Sequence, residues 1–373
     1  MQKVIILGGG MVGSAIAADL STDYDVTVAD NNETKLHKIK ATHSLNTLHA
    51  DISSNENINS IVKEFDLVVG AAPGFMGFNT LKSVIEARKN IVDISFFSED
   101  PFELDSLAKE NDLTAIVDCG IAPGFSNIIL GYHSNKMKTD NFECYVGGLP
   151  FKRTLPFQYK APFSPGDVIE EYVRSSRIVR DGKVIIRPAL SDPELIEFEN
   201  IGTLEAFNTD GLRSLIKTMN IPNMIEKTLR YPGHIDLMKI LRDTGFFDKE
   251  KIEVDGSNIR PVDFTSRLLF PHWKLEENQK EFTILRLIIE GDNKRITYDL
   301  FDKFDEETKT TSMARTTGYT CSAVARLVME GRYSNKGISP PEFIGMQSKA
   351  YEFVTDYLNE RKISFTIREQ EIK

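Results

Sequence analysis

The chain has 373 residues, 41% of them apolar and 27% charged, which is typical of globular proteins and excludes long disordered stretches. A net charge of −10, without a long Lys/Arg block, argues against nucleic acid as a partner. No run approaches the ~18 apolar residues of a membrane span, and the first apolar run is too short for a secretion signal. The three cysteines, Cys119, Cys144 and Cys321, are too widely spaced for a disulfide framework or a structural zinc site. We therefore expect a cytoplasmic protein with no metal site and no membrane partner.

The first third of the chain alternates short apolar strands with helices. Strands are predicted at residues 4–7, 25–30, 45–50, 66–70, 90–93 and 114–118. Helices are predicted at residues 11–20, 33–40, 58–65, 81–88 and 102–111. This alternation is typical of βαβ units and predicts an α/β fold, a doubly wound parallel sheet of the Rossmann type. Ligands of such sheets lie at the carboxyl ends of the strands.

The pattern changes beyond residue 120. A helix is predicted at 127–135 and a strand at 142–146, and later strands at 184–186, 284–289 and 295–301 are separated by turns. These signals predict a second, α+β domain whose strands are mainly antiparallel. The last part is helical again at 314–330 and 349–361, before a strand at 363–367. We predict domains at 1–125 and 126–312, followed by C-terminal helices at 313–373.

A glycine-rich loop follows the first predicted strand and opens the first helix. Its pattern is G-x-G-x-x-G, formed by Gly8, Gly10 and Gly13 with Met11 and Val12 between them. The first glycine permits a tight turn, the second lets the backbone approach a pyrophosphate, and the third lets the helix pack on the strand. The helix N-terminus then favours the anion. The context predicts a dinucleotide site, with a flavin as an alternative to a nicotinamide cofactor.

Asp30 ends the second predicted strand and bears on the choice of dinucleotide. A carboxylate there accepts hydrogen bonds from the ribose hydroxyls of NAD and repels a 2′-phosphate. Residues 31–33 include no arginine, which also favours NAD. Lys35 and Lys38 keep NADP open as the less favoured cofactor.

The loops after the later strands are expected to surround the same ligand, because carboxyl ends of parallel strands meet at one edge of the sheet. Predicted cofactor contacts in these loops are Asp51, Ile52, Ala72, Pro73, Ser95 and Gly120. Predicted substrate contacts are Phe96, Ala122 and Phe125. Pro123 is expected in the first turn of a helix, whose N-terminus would suit a carboxylate.

Four segments carry a family resemblance. Residues 118–124 have the pattern D-x-G-x-x-P-G, and together with residues 145–150, 204–212 and 228–234 they resemble the saccharopine dehydrogenase family. Within it the chain is most similar to lysine 6-dehydrogenase and its archaeal relatives. Saccharopine reductases usually carry an acidic residue before the Pro-Gly, where this chain has Ala122.

The resemblance implies a Rossmann domain with an inserted α+β domain that binds substrate and mediates homodimer contacts, and C-terminal helices that return to the first domain. It also implies NAD-dependent oxidation of a small amino-acid substrate at a carbon bearing an amine. For lysine, the ε-carbon would become the semialdehyde with loss of ammonia. The alternatives are a saccharopine- or carboxynorspermidine-type imine reductase and a non-catalytic NAD sensor.

Five polar residues of the second domain are candidates for the chemistry. His234, in a Pro-Gly turn, is the candidate base, with a hydrogen-bonded structural histidine as the alternative. Asp210 and Glu205 are candidates to meet a substrate ammonium, Asp210 being placed with the catalytic residues. Arg213 and Arg230 are candidates to hold the α-carboxylate, since guanidinium binds carboxylate through two hydrogen bonds.

Overall fold

A computed structural model describes residues 1–199 and 201–372. The chain forms two compact units, each built from two separate stretches of sequence. The first unit comprises Met1–Met137 and Met313–Ser364, and the second comprises Lys138–Ser312 and Phe365–Lys373. Over the described residues, no helix is both long enough and apolar enough to cross a membrane.

The first unit begins with strands and helices in alternation, as predicted. Its strands are β1 (Lys3–Leu7), β2 (Asp25–Asp30), β3 (Asn46–His49), β4 (Leu67–Gly70), β5 (Ile91–Asp93) and β6 (Thr114–Ile116). Its helices are α1 (Met11–Leu20), α2 (Glu33–His43), α3 (Asn55–Ile61), α4 (Gly74–Glu86), α5 (Asp105–Glu110) and α6 (Phe125–Ser134). Short 3-10 turns cover Val62–Glu64 and Pro101–Leu104.

The second unit is richer in strands. Its strands are β7 (Asn141–Pro150), β8 (Ser176–Arg180), β9 (Lys183–Arg187), β10 (Glu194–Phe198), β11 (Gly202–Asn208), β12 (Asn223–Arg230), β13 (Ile252–Val254), β14 (Ser257–Ile259), β15 (Glu281–Gly291) and β16 (Lys294–Lys303). Its helices are α7 (Pro165–Val173), α8 (Leu215–Thr218), α9 (His234–Asp243) and α10 (Pro261–Trp273). The carboxyl-terminal part adds α11 (Ser312–Met329), β17 (Gly337–Ser339), α12 (Pro341–Gly345), α13 (Ser348–Glu360) and β18 (Phe365–Glu371).

The sheet of the first unit is parallel throughout, in the order β17-β6-β5-β4-β1-β2-β3. Strands β1 and β4 are buried almost from end to end, as expected when helices cover both faces. The strand order reverses between β1 and β4, which makes the carboxyl ends of these two strands the switch point where such folds bind ligands. The predicted fold class is confirmed.

The sheet of the second unit is mixed, in the order β10-β11-β12-β7-β15-β16-β18, with the β8–β9 hairpin attached through β12. Strands β7 and β12 are parallel, and the remaining pairs along this order are antiparallel. Apolar side chains from the strands and from α7, α9 and α10 form the core, with Trp273 and Tyr172 fully buried in it. The α+β character is as predicted, although the parallel pair was not.

The compact units differ from the predicted domains at two places. Residues 126–137 belong to the first unit, because α6 packs against α12 through Gly131 and Gly345, where a Cβ would collide with the facing backbone. Residues 365–373 belong to the second unit, because β18 pairs with the edge strand β16. The helices between Met313 and Ser364 lie in the first unit.

Candidate functional site

The three motif glycines follow β1 and differ in the space around their Cβ positions. Gly8 has φ +120°, and a Cβ on it would lie 2.4 Å from the carbonyl oxygen of Ala71. A Cβ on Gly13 would lie 2.0 Å from the carbonyl oxygen of Gly8, so helix and strand touch here. Gly10 has nothing within 4 Å of its Cβ position. The first and third glycines therefore serve the fold, whereas the second leaves open space of the kind a pyrophosphate occupies.

Helix α1 begins at this open space, with Gly10 as its N-cap. The helix has no side-chain cap and no acidic residue in its first turn. Its first residue, Met11, is exposed and Val12 is half-buried. An uncapped helix N-terminus presents N–H groups and a positive dipole end to an anion. This end of α1 fits the diphosphate of a dinucleotide.

Asp30 joins the glycine loop to the end of β2. Its Oδ2 accepts a hydrogen bond of 2.8 Å from Gly9 N, and its Oδ1 accepts one of 2.8 Å from Asn32 N. The exposed Lys35 places Nζ 3.7 Å from Oδ2. Each carboxylate oxygen can accept more than one hydrogen bond, so the group can still receive ribose hydroxyls. The side chain of Asp30 is largely buried.

The loops after β3 and β4 lie at the same edge of the sheet. Asp51 is exposed and accepts hydrogen bonds from the amide and hydroxyl of Ser53, which lower the pKa of this carboxyl. Ile52 is buried. After β4, Ala72 is buried and Pro73 is the N-cap of α4. These residues lie at the edge of the sheet along which a bound dinucleotide would extend. Their contacts with it stay predictions.

Strand β5 ends in a buried carboxylate that the sequence analysis did not select. Asp93 is fully buried, and its Oδ1 accepts from Ser95 N at 2.7 Å while its Oδ2 accepts from Ser95 Oγ at 3.2 Å. A Cβ on Gly70 would lie 1.8 Å from Oδ2 of Asp93, so the neighbouring strand must end in glycine. Ser95 is thus fixed by Asp93, and the predicted substrate contact Phe96 is half-buried beside it.

The loop after β6 turns tightly before α6. Gly120 is buried, the Ala122–Pro123 peptide is cis, and Gly124 has φ +139°. Helix α6 begins at Phe125, so Pro123 lies before the first turn, and the prediction that it occupies that turn is wrong. Ala122 is half-buried, whereas Phe125 is 1% exposed. Phe125 as a substrate contact stays a prediction that its burial does not favour.

In the second unit, Asp210 and Glu205 both have partners within the unit. Asp210 is 8% exposed. Its carboxylate accepts two hydrogen bonds of 2.8 Å from Arg177, one from Nε and one from Nη2. Glu205 accepts a hydrogen bond of 3.1 Å from Gly233 N and is half-buried. Arg213 is buried, with φ 43°. Roles for these three side chains in substrate binding stay predictions.

His234 is the first residue of α9 and is 1% exposed. Its Nδ1 lies 2.8 Å from the carbonyl oxygen of Phe157, which can only accept, so Nδ1 carries the hydrogen. Its Nε2 lies 2.9 Å from the hydroxyl of Tyr172 and accepts from it. Burial, and then the charge of Arg230, lower the pKa of His234 to about 3. This geometry favours the structural alternative for His234 and not a base that takes a proton from substrate.

Arg230 is held in the same buried cluster. It is 2% exposed, its Nη2 lies 2.5 Å from Oε2 of Glu171, and its Nε donates to the hydroxyl of Tyr172 at 3.1 Å. The guanidinium also lies over the ring of Tyr159, 4.4 Å from its centre. With its charge neutralised inside the unit, Arg230 is better explained as a structural residue than as the clamp of a substrate carboxylate.

Glu226, on β12, is a buried acid that the sequence analysis missed. It is 5% exposed, and its Oε2 accepts from Thr209 Oγ1 at 2.5 Å and from Gly211 N at 3.1 Å. Burial raises the pKa of Glu226 to about 8. The sequence offered only a charged residue within the segment that forms β12, and the burial of that segment is seen in the structure alone. Among residues 1–199 and 201–372, no three His, Cys, Asp or Glu side chains are arranged to hold a metal ion.

The first unit therefore has the fold and the loop of a dinucleotide-binding oxidoreductase. The family model described as the saccharopine dehydrogenase NADP binding domain matches residues 4–116, and the saccharopine dehydrogenase C-terminal domain matches residues 120–363. The chain belongs to the saccharopine dehydrogenase family.

The chain is also similar to several individual proteins. The chain is 27% identical over 269 residues to a saccharopine dehydrogenase [NADP(+), L-glutamate-forming] of Pyricularia oryzae, a match covering 67% of this chain and 59% of that protein. It is 24% identical to a carboxyaminopropylagmatine dehydrogenase of a Synechocystis species, over 91% of this chain and 92% of that protein. The apo saccharopine dehydrogenase (L-Glu forming) of Saccharomyces cerevisiae superposes with a TM-score of 0.78 at 19% identity, covering 99% and 100% of the two chains, and shows the fold.

Proposed function

We propose that the chain is a nicotinamide-dependent dehydrogenase that oxidises an amino-acid amine, with lysine at its ε-carbon as the leading substrate. The observation that carries the dehydrogenase class is the open loop at Gly10 and α1, set in a chain that both saccharopine dehydrogenase family models match. The cofactor supplies the acceptor for a hydride from the carbon that bears nitrogen. The chain must hold that cofactor, orient the amine and move protons.

NAD is proposed as the preferred cofactor because of Asp30. Its carboxylate lies at the end of β2, accepts the Gly9 N–H and is largely buried, so a 2′-phosphate placed there would meet a negative charge. The matched family model and the Pyricularia relative carry NADP in their descriptions, which favours the opposite choice. We give the carboxylate more weight because it belongs to this chain, and Lys35 offsets only part of its charge.

Lysine is proposed as the substrate because of Ala122. An alanine before the Pro-Gly turn removes the acidic group that the saccharopine-type enzymes usually carry there. Saccharopine- or carboxynorspermidine-type imine chemistry is the second candidate, and the match to the carboxyaminopropylagmatine dehydrogenase over nearly all of both chains favours it. The homodimer expected from the resemblance stays a prediction, as does the cytoplasmic location.

The test is formation of reduced cofactor, followed by its absorbance, at mildly alkaline pH. NAD and NADP are each supplied with lysine, ornithine, saccharopine, carboxynorspermidine or carboxyaminopropylagmatine, and ammonia is measured in parallel. Lysine-dependent NADH with one equivalent of ammonia is the expected result. Turnover of the secondary amines alone would replace lysine with the imine-reductase alternative. Binding of NADH without turnover of any amine would favour the NAD sensor.

A further inference from the structure

Two elements of the second unit share one edge of strand β12. Strand β11 pairs with Lys227–Arg230 of β12, whereas the β8–β9 hairpin pairs with β12 through Met224. Strand β7 occupies the opposite edge. Ile225 lies between the two pairings, and it lines a cavity of about 160 Å³. This is the volume of about five water molecules and close to the size of a small α-amino acid.

Asn208, at the end of β11, lines this cavity and is 1% exposed. Its Nδ2 donates to Oδ2 of Asp192 at 2.8 Å and to Oγ of Ser191 at 3.1 Å. Because a carboxylate can only accept, these contacts fix the orientation of the amide. Within the described residues, the buried Oδ1 of Asn208 has no hydrogen-bond partner. A buried polar atom ordinarily has one, so this oxygen is an acceptor suited to a ligand that donates a hydrogen.

Three cations line the same cavity and differ in their partners. Lys227 donates to the carbonyl oxygen of Asp192 and to Oε1 of Glu194, both at 2.7 Å. Nε of Arg187 lies 3.2 Å from Oδ2 of Asp192, but without the geometry of a hydrogen bond, so its buried N–H lacks an acceptor among the described residues. Arg180 is exposed and, in the part of the chain that the structure describes, has no ion-pair partner. The two arginines can therefore donate to an anion.

We propose that this cavity of the second unit is a binding site for a small α-amino acid. The guanidinium groups of Arg180 and Arg187 donate to its carboxylate. The amide oxygen of Asn208 and the carboxylate of Asp192 accept from its ammonium. A simple anion would meet the negative charge of Asp192, whereas a zwitterion complements both signs of charge in the lining. The site needs neither the cofactor nor amine oxidation, so the inference is independent of the proposed function.

The first test is a calorimetric titration of the native chain with L-alanine, whose short apolar side chain suits the lining residues Ile178 and Ile225. Propionate, which lacks the ammonium, and inorganic phosphate are titrated in parallel. We expect alanine to bind at one site per chain, about tenfold more tightly than either anion, because only alanine offers a positive group to Asn208 and Asp192. Propionate or phosphate bound as tightly as alanine would overturn the amino-acid assignment, and no alanine binding would overturn the site.

A second test, with Arg180→Gln, locates the bound amino acid. The side chain of Arg180 is exposed, so the variant should fold and keep the thermal midpoint of the native chain. Its affinity for alanine should fall about tenfold, because charge-assisted hydrogen bonds to the carboxylate are lost. Arg267→Gln removes an exposed arginine of α10 outside the cavity and should keep native affinity. Native alanine affinity in Arg180→Gln, or an equal loss in both variants, would overturn the placement of the ligand.

Discussion

The hydroxyl of Tyr172 lies 2.9 Å from Nε2 of His234 and donates its hydrogen to it. The direction is fixed because Nδ1 of the same ring must donate to the carbonyl of Phe157, and because Arg230 donates to the oxygen of Tyr172. These contacts form one chain of donors, running from Arg230 through Tyr172 and His234 to the backbone. The chain requires a neutral imidazole, and protonation of His234 would place two donors against each other.

Replacement of His234 should therefore destabilise the protein and change its acid sensitivity. Because the pKa is lowered from 6.5 to about 3, the stabilising effect of the neutral ring is complete above pH 6.5 and is lost as the pH falls towards 3. We expect His234→Ala to lose about 1–3 kcal/mol of unfolding free energy at neutral pH, from the unmade hydrogen bonds. The dependence between these pH values should also flatten, as measured by urea unfolding at several pH values.

The exposed His272 on α10 supplies the control, and His272→Ala should leave both quantities unchanged. A His234→Ala protein with native stability but no turnover would contradict the structural role. That result would support His234 as the catalytic base.

Glu226 should give the opposite pH dependence. Its folded pKa of about 8 lies above the ordinary 4.5, so the folded state holds a proton that the unfolded state releases. Stability should therefore be highest below pH 4.5 as far as this group is concerned, and should fall by up to about 1.4 kcal/mol per pH unit as the pH rises towards 8. Urea unfolding of Glu226→Gln, which cannot ionise, should lack this slope. An identical slope in both proteins would show that the carboxyl ionises normally.

The features that the sequence predicted depend on local signals, whereas the features that it missed depend on long-range contacts. The strand at residues 4–7, the glycine loop and Asp30 follow from local rules, because strand, turn and helix signals are adjacent in sequence. Strand β17 was missed because it has three residues and becomes a strand only by pairing with β6. Glu226 was missed because its burial depends on the distant pairing of β12 with β7.

His234 is a second residue whose surroundings could not be predicted from the sequence. The sequence places it in a Pro-Gly turn, which suggested an accessible base. The structure buries it because Phe157, Tyr172 and Arg230, all distant in sequence or on other elements, converge on the ring. Local pattern thus predicts the dinucleotide loop well, whereas the state of a buried titratable group depends on long-range contacts.

The glycines of the loop should separate folding from cofactor binding. The methyl group that Gly10→Ala adds has nothing within 4 Å, so the thermal midpoint of this variant should be near the native value. Its affinity for NADH should fall, because the methyl group occupies space that the pyrophosphate needs. Gly13→Ala would place its Cβ 2.0 Å from the Gly8 carbonyl and should lose stability by about 1–3 kcal/mol. Thermal unfolding and NADH fluorescence titration measure the two effects. Gly166→Ala, at an exposed position of α7, should change neither, and unaltered NADH affinity in Gly10→Ala would place the diphosphate elsewhere.

The carboxylate of Asp30 should decide between the two nicotinamide dinucleotides. Asp30→Asn keeps an acceptor for Gly9 N but removes the charge, so the loop should keep its shape. We expect NADH affinity to fall by about tenfold, corresponding to about 1.4 kcal/mol, as charge-assisted hydrogen bonds to ribose hydroxyls become neutral ones. NADPH affinity should rise, because the 2′-phosphate no longer meets a buried negative charge and Lys35 loses its partner.

Asp25, at the other end of the same strand, is the matched control. It accepts a hydrogen bond of 2.8 Å from Asn46 Nδ2 and lies at the amino end of β2, away from the ligand edge of the sheet. Asp25→Asn removes the same charge and should leave the ratio of NADH to NADPH affinities unchanged, as measured by fluorescence titration at fixed ionic strength. If the native chain binds NADPH at least as tightly as NADH, Asp30 does not exclude the phosphate. The preference then follows the NADP binding description of the family, with Lys35 as the residue to replace next.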